Sequence, residues 1–361
     1  MSRSGGLLHA VILAGGAGER FWPASRQRRP KPFLRVLDGQ SLLEATLERA
    51  RRFAGDDCVW VVCGADHGRA IRAETGLPAQ RVLVEPERRN TAMAVGLAAA
   101  RVAALDPDAV MAVLPADHRI PDGRAFAAAI RRAARAAREA RVLVTLGVRP
   151  TRPDPGYGYI QVGRPVGPAQ PGLRAVRRFV EKPDARTARR YLSSGGYLWN
   201  AGIFVWTART ILAEFDACAP ELQRALAPLL RSGRRPSPAL LRRAYRSAPA
   251  LPIDKAVLER SRRVWTLPVS FHWSDVGTWE SLAEELGVAR GRSRVVAGDL
   301  VYDDRGGNLV WGGGRAVALL GVEGLAVIES EGALLVARLD RAPEVRAIVA
   351  ELKAQGRSDV T

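Results

Sequence analysis

The chain has 361 residues, 47% of them hydrophobic, and a formal net charge of +18. That length exceeds what one core usually organises, so a main domain over 1–290 and a smaller one over 291–361 are expected. No apolar run of about eighteen residues and no charged n-region leading into an apolar h-region is present, so neither a membrane span nor a signal peptide is indicated and a cytoplasmic protein with no membrane partner is expected.

The first half alternates short apolar runs with helical patterns. Strands are predicted over Val11–Leu13, Val59–Cys63, Val82–Val84, Val110–Leu114 and Val142–Leu146, with helices near 41–53, 66–74, 91–105 and 124–140 between them. Such alternation predicts an α/β fold, a Rossmann-like doubly wound mixed sheet with helices on both faces. From Gly156 the texture changes: strands near 159–162 and 178–181 precede helices between Thr187 and Arg243. Beyond about Ser293, Val/Leu-rich runs with Gly turns, at 295–302, 308–311, 316–320, 325–330 and 333–338, predict a small C-terminal β domain, with a helix over 343–355.

Cys58, Cys63 and Cys218 are odd in number and lack C-x-x-C spacing, which argues against a disulfide framework or zinc site; they read as small core residues. His9, His67, His118 and His272 show no ligand spacing and read as structural. The charge is spread through Ala/Arg-rich helices, a solvated compositional bias rather than a nucleic-acid surface, so no nucleic-acid partner is expected. Only Lys31, Lys182, Lys255 and Lys353 among 55 basic residues are lysines, which makes each conspicuous.

The first strand runs through Leu13 into Ala14-Gly15-Gly16-Ala17-Gly18-Glu19-Arg20-Phe21-Trp22-Pro23-Ala24-Ser25, with Pro30-Lys31-Pro32-Phe33 following. Glycines let a backbone approach phosphate oxygens closely, and Arg20 and Lys31 supply charge. Neither the P-loop nor the dinucleotide spacing fits, because Phe21-Trp22-Pro23 interrupts the helix a Rossmann turn needs. Asp117, in Leu114-Pro115-Ala116-Asp117-His118, lies just past a buried-looking strand, where the ligand crevice of a doubly wound sheet opens. A second carboxylate, Asp275, stands in His272-Trp273-Ser274-Asp275-Val276-Gly277-Thr278; each Asp is equally readable as a turn or cap residue.

These segments resemble the sugar-1-phosphate nucleotidyltransferase family, whose signature G-G-x-G-x-R-x-x-P-x-S followed by P-K is matched at every fixed position. Within that family the chain is most similar to the mannose-1-phosphate guanylyltransferase branch. Gly156-Tyr157-Gly158-Tyr159-Ile160, Phe179-Val180-Glu181-Lys182-Pro183, Trp199-Asn200-Ala201-Gly202-Ile203-Phe204, Glu85-Pro86 with Arg89-Asn90-Thr91-Ala92, and Asp254-Lys255-Ala256-Val257 carry the resemblance over nearly the whole chain.

The resemblance implies transfer of the guanylyl group of GTP to mannose 1-phosphate, giving GDP-mannose and pyrophosphate. It implies catalytic Arg20 and Lys31, and a nucleotide site from Leu13, Ala14, Gly15, Gly16, Gly18, Glu85, Asn90 and Thr91. It further implies a sugar-phosphate site from Gly158, Tyr159, Glu181, Lys182 and Asn200, and Mg²⁺ held by Asp117 and Asp275. Attack by an already dianionic sugar phosphate needs no general base, so charge neutralisation by a hard cation is the main task. Another hexose or heptose 1-phosphate as substrate, and a silent nucleotide-sugar-binding relative, are the alternatives; a homodimer is left open. The length leaves no room for a further isomerase domain, so that activity is not expected. Two positions depart from the family pattern. Glu19 stands where Thr or Ser is usual, its side chain expected to point outward or pair with Arg20, and Pro32 replaces Gln.

Overall fold

The computed structural model describes residues 7–16, 18–36, 39–233, 236–357 and 359–361. The chain folds as two compact units. One comprises the chain up to Gly15 with Thr46–Pro115 and Ile120–Trp273; the other comprises Gly16–Ala45, Ala116–Arg119 and Ser274–Thr361. This grouping cuts across the expected 1–290 and 291–361 division, because segments of the glycine-rich loop share a core with the C-terminal strands.

The first unit holds a nine-stranded sheet. Its strands are β1 (Leu8–Leu13), β2 (Val59–Gly64), β3 (Val82–Glu85), β4 (Val110–Pro115), β5 (Leu143–Val148), β6 (Gly158–Pro165), β7 (Arg174–Glu181), β8 (Tyr197–Thr207) and β9 (Val264–Val269), in the order β3-β2-β1-β4-β8-β5-β9-β7-β6. β3, β2, β1 and β4 run parallel, as the strand-helix alternation predicts, and Leu13 pairs with Val62 and Pro115, so their carboxyl ends share one edge of the sheet.

Two strands depart from the sequence reading. β8 lies in a stretch expected to be helical and inserts antiparallel between β4 and β5, while β9 was not foreseen. Strand β8 is wanted there because Ala201, Ile203, Phe204, Val205 and Trp206 are all buried, more than a helix with one apolar face could hide. Helices cover the sheet with broad apolar faces. The helix Asn90–Ala103 is buried along most of its length, and Gly96 allows close approach to Leu226 of the helix Pro220–Arg231, where a Cβ would meet Leu226 Cδ1 at 2.5 Å. Cys58 and Cys63 are buried, whereas Cys218 is only partly so.

The second unit contains a four-stranded sheet of β10 (Arg294–Asp303), β11 (Leu309–Leu319), β12 (Leu325–Ser330) and β13 (Ala333–Arg338), followed by the helix Val345–Ala354. Two expected strands merge into β11. Leu309, Ala326, Ile328, Leu335, Val345 and Val349 form its core with Phe21, Trp22, Leu34 and Trp279. No helix among the described residues is long and apolar enough to cross a membrane.

Candidate active site

The glycine-rich loop is built by close packing in the second unit. After Gly18, in the left-handed region at φ 66°, the chain makes a single 3₁₀ turn over Glu19–Phe21, and Trp22-Pro23 is cis. A Cβ at Gly18 would lie 2.5 Å from Lys31 Cβ, so only glycine lets the two segments meet. Ser25 Oγ donates to Gly18 O at 2.5 Å, which ties the motif's serine to its glycine.

Lys31 is the centre of this constellation. Its side chain is almost wholly buried, and Nζ donates to Asp117 Oδ2 and to the Asp275 carbonyl, each at 2.7 Å, with the Phe21 ring 5.5 Å away. The two aspartates arrive together through a two-residue bridge: Arg119 and Ser274 exchange backbone hydrogen bonds of 2.9 and 3.1 Å. Asp275 is not the cap of the next helix. Thr278 caps Trp279–Glu285 in a reciprocal box with Ser281. The turn after Asp275 is strained, with β-branched Val276 at φ 43°, and a Cβ on Gly277 would meet Asp275 Oδ2 at 2.7 Å and displace that carboxylate.

Burial raises the Asp117 carboxyl, but Lys31 and the adjacent His118 outweigh it and hold the group below its ordinary value, so it stands ionised. Both residues carry carboxylates, the oxygen ligand type that a hard divalent cation takes together with phosphate oxygens and water. Among the described residues no group of three or more His, Cys, Asp or Glu could hold an ion by itself. Arg20 is partly exposed and engages no other described residue. Glu19 does not pair with Arg20: its carboxylate meets Lys353 Nζ at 2.5 Å and Arg346 Nε at 3.8 Å on the helix Val345–Ala354. Lys31 is correspondingly no free cation but one already shared between two acceptors.

The first unit carries a second constellation at the carboxyl edge of its parallel strands. Glu85 closes β3, buried, and a Cβ placed on Gly15 would lie 3.5 Å from its Oε2. Burial pushes the Glu85 carboxyl up to about 7, opposed by the hydrogen bond from Tyr245 and the charge of Arg88. Asn90 takes φ 62° and accepts from Thr91 N with its own side chain, while Thr91 Oγ1 accepts from Ile253 N at 2.9 Å. Leu13 ends β1, and the N–H of Ala14, just beyond it, donates to Val62 O.

Beyond Ile253 the chain enters a π-helical turn at Asp254–Leu258, and Asp254 Oδ1 accepts from Asn200 Nδ2 at 3.1 Å. Asn200 Oδ1 accepts from Thr145 Oγ1 and Gly202 N, so its amide is fixed from both ends. Gly158 faces Glu181 across the β6–β7 ladder, and a Cβ there would lie 2.5 Å from Glu181 Oε2 and 3.3 Å from Asn200 Cβ. Lys182, at φ 50°, reaches Glu181 Oε1 at 3.2 Å from an exposed position. Burial and the nearby Glu181 push Asp254 up to about 7.

Gly158, Glu181, Lys182 and Asn200 are thus brought together. Tyr159 is not among them as a side chain: it is wholly buried and its hydroxyl donates to Asp154 O, which makes it a core residue. Two residues without an expected role are also engaged: Asp254 holds Asn200, and Tyr245 holds Glu85. Asp254 stood in a recognisable segment, whereas Tyr245 had no signal beyond being a lone aromatic in an Arg-rich helix.

The nucleotidyl transferase family model matches residues 9–287, and that of the MannoseP isomerase/GMP-like beta-helix domain matches residues 298–352. Xanthan biosynthesis protein XanB of Xanthomonas campestris is 38% identical over 357 residues, covering 97% of this chain and 74% of the relative. Mannose-1-phosphate guanylyltransferase of Escherichia coli is 35% identical over 363 residues, covering 98% and 75%. A crystal structure described as mannose-1-phosphate geranyltransferase from Thermus thermophilus superposes with a TM-score of 0.85 at 36% identity, over 96% of this chain and 99% of that one. Nucleotidyltransferases of this family generally use a divalent metal. With most of its length inside the family model and relatives of this identity from end to end, the chain belongs to the nucleotidyl transferase family and is a nucleotidyltransferase.

Proposed function

We propose that the chain transfers the guanylyl group of GTP to mannose 1-phosphate. A non-bridging oxygen of the sugar phosphate attacks the α-phosphorus, the bond from that phosphorus to the oxygen leading to the β-phosphate breaks, and pyrophosphate leaves with the electron pair. The products are GDP-mannose and pyrophosphate. The observation that carries this reading is the buried Lys31 ammonium, shared between Asp117 and the Asp275 carbonyl under a loop whose Gly18 has no room for a side chain. Relatives with the mannose-1-phosphate guanylyltransferase name support the choice of substrates.

In this reading Arg20 and Lys31 neutralise the triphosphate, and Gly15, Gly16 and Gly18 offer it backbone N–H groups without Cβ obstruction. Asp117 and Asp275 would hold Mg²⁺, which when bound supplies charge neutralisation at the phosphates. Leu13, Ala14, Glu85, Asn90 and Thr91 bind the nucleoside. Gly158 leaves room for Glu181, whose carboxylate with the fixed Asn200 amide accepts and donates to sugar hydroxyls, and Lys182 meets the sugar's phosphate. Catalysis is positioning and electrostatics, with residues 1–290 as the catalytic domain and 291–361 as the smaller one.

The test is pyrophosphate release by the purified chain with Mg²⁺, across GTP, ATP, UTP and CTP and across mannose and glucose 1-phosphates. GTP with mannose 1-phosphate is expected to exceed every other pair in kcat/KM by about a hundredfold. Equal turnover of UTP would overturn the nucleotide assignment, and equal turnover of glucose 1-phosphate the sugar assignment.

A further inference from the structure

Tyr245 lies on the helix Pro238–Ser247, wholly buried, and its hydroxyl donates to Glu85 Oε1 at 3.1 Å. That leaves Oε2 on the Gly15 side. The same helix end grips the whole segment after β3: Arg89 Nε donates to the Tyr245 carbonyl at 2.7 Å, and Arg246 and Arg89 both reach Glu87. Ala92 N donates to Leu251 O, and Ile253 N to Thr91 Oγ1, so residues 85–92 are stapled to residues 245–253. Ligands of open α/β sheets bind outside the carboxyl ends of the strands, where Glu85 and Gly15 stand.

A carboxylate held in one orientation has two acceptor oxygens side by side. Guanine presents two neighbouring N–H donors on its pairing edge, whereas adenine presents one donor beside one acceptor. We propose that Tyr245 is a positioning residue for base selection: its hydroxyl fixes the Glu85 carboxylate so that it meets the paired N–H donors of guanine. This rests on the GTP reading above and adds a residue to it.

Chemistry gives the positioning a pH signature. The titratable and charged groups facing Glu85 are Tyr245, Arg88 and Cys63. Burial and Glu85 push the Cys63 thiol up to about 12, and burial and Glu85 raise Tyr245 as well, so both stay neutral while Glu85 titrates near neutrality, at about 7. The Tyr245 hydrogen bond favours the ionised form, so its removal moves Glu85 further up. A protonated carboxyl replaces one acceptor by a donor and loses the match to guanine.

The experiment compares kcat/KM for GTP and ATP between pH 6 and 8.5 in the full chain and in Tyr245→Phe, with melting curves for both. Taking the ratio of the two nucleotides cancels titration of the shared phosphates. In the wild type the GTP:ATP ratio is expected to fall as pH drops through about 7. Tyr245→Phe should raise KM for GTP about three- to tenfold at pH 7.5, more than it changes kcat, and shift the fall to higher pH. An unchanged KM for GTP in a folded variant, or a wild-type ratio flat across the range, overturns the role of Tyr245. Should Tyr245→Phe fail to fold, Glu85→Gln decides: it replaces one acceptor by a donor and should lose the GTP:ATP preference, and a preference kept in that variant overturns the proposal. A wild type without GTP preference at any pH overturns the functional reading itself, a separate result.

Discussion

The two constellations treat their carboxylates in opposite ways. Asp117, in the second unit, sits against a buried ammonium and is held ionised, whereas Glu85 and Asp254, in the first, are buried with Arg88 and Lys182 too weak to offset burial and are both pushed up to about 7. Permanent charge suits phosphates and a metal, the ligands proposed for that region. Groups poised between two protonation states suit neutral ligands, a base or a sugar, that are told apart by donors and acceptors. The difference lies in the neighbours: Lys31 inside hydrogen-bond distance, with His118 beside it, outweighs at Asp117 the burial that raises the others.

Breaking the charged side should give the largest effect. Lys31→Met leaves Asp117 without its partner, and kcat should fall about 10²- to 10³-fold, as for other preorganised electrostatic groups. Lys31→Arg keeps the charge, but a broad guanidinium must replace a compact ammonium bonded to two acceptors at 2.7 Å, so it should keep the melting temperature better than the rate. Steady-state kinetics beside melting curves separate the two; wild-type kinetics for Lys31→Arg would show that any cation serves.

Gly18→Ala attacks the same centre through the backbone. The new methyl meets Lys31 Cβ at 2.5 Å and must sit at φ 66°, so a loss of about 1–3 kcal/mol in chemical denaturation and a raised KM for GTP are expected. Stability equal to wild type would mean that the loop can shift away freely.

On the other side of the comparison the sign reverses with pH. The folded pKa of Asp254 is raised, so the folded state binds its proton more readily than the unfolded chain, and the cost of ionising it is present above about 7 and vanishes below its ordinary value. Asp254→Asn mimics the protonated form. It should raise Tm by a few degrees at pH 8 and leave it unchanged near pH 4. A shift of equal size at both pH values would place the effect in packing rather than in titration.

The smallest effect is predicted for the exposed pair Glu19–Lys353. Lys353→Glu should cost no more than about 1 kcal/mol, and Glu19→Lys in the same chain should restore it. Failure of the exchange to restore stability would remove the pair as a tie between loop and helix.

Much of this was readable from the chain. Strong periodicity located β1 to β4 and the helices between them, and the terminal runs located β12 and β13. Residues in compact motifs, such as Gly18 with Lys31 and Gly158 with Glu181, proved to be spatial neighbours, because each motif spans one turn or one ladder. β8 was misread for the opposite reason. A central strand buried on both faces has no alternation to show, and Trp199–Phe204 reads as a motif before it reads as a strand. Tyr245 and the Glu19–Lys353 pair were illegible because their partners lie 160 and 334 residues away, and only folding brings them together.

The tie between Trp22 and the far C-terminal segment has a consequence in time. Trp22 Nε1 donates to Val360 O at 2.7 Å, and Arg26 reaches Asp359 O and Ser330 O, so the segment after the glycine-rich loop is fastened by carbonyls translated more than 300 residues later. On the ribosome the nine strands can pair while this loop still lacks its fasteners. A nascent chain halted before Asp359 would hold the loop by its apolar core and the Ser330 carbonyl alone, and the bonds from Trp22 and Arg26 to 359–360 would be the last to close.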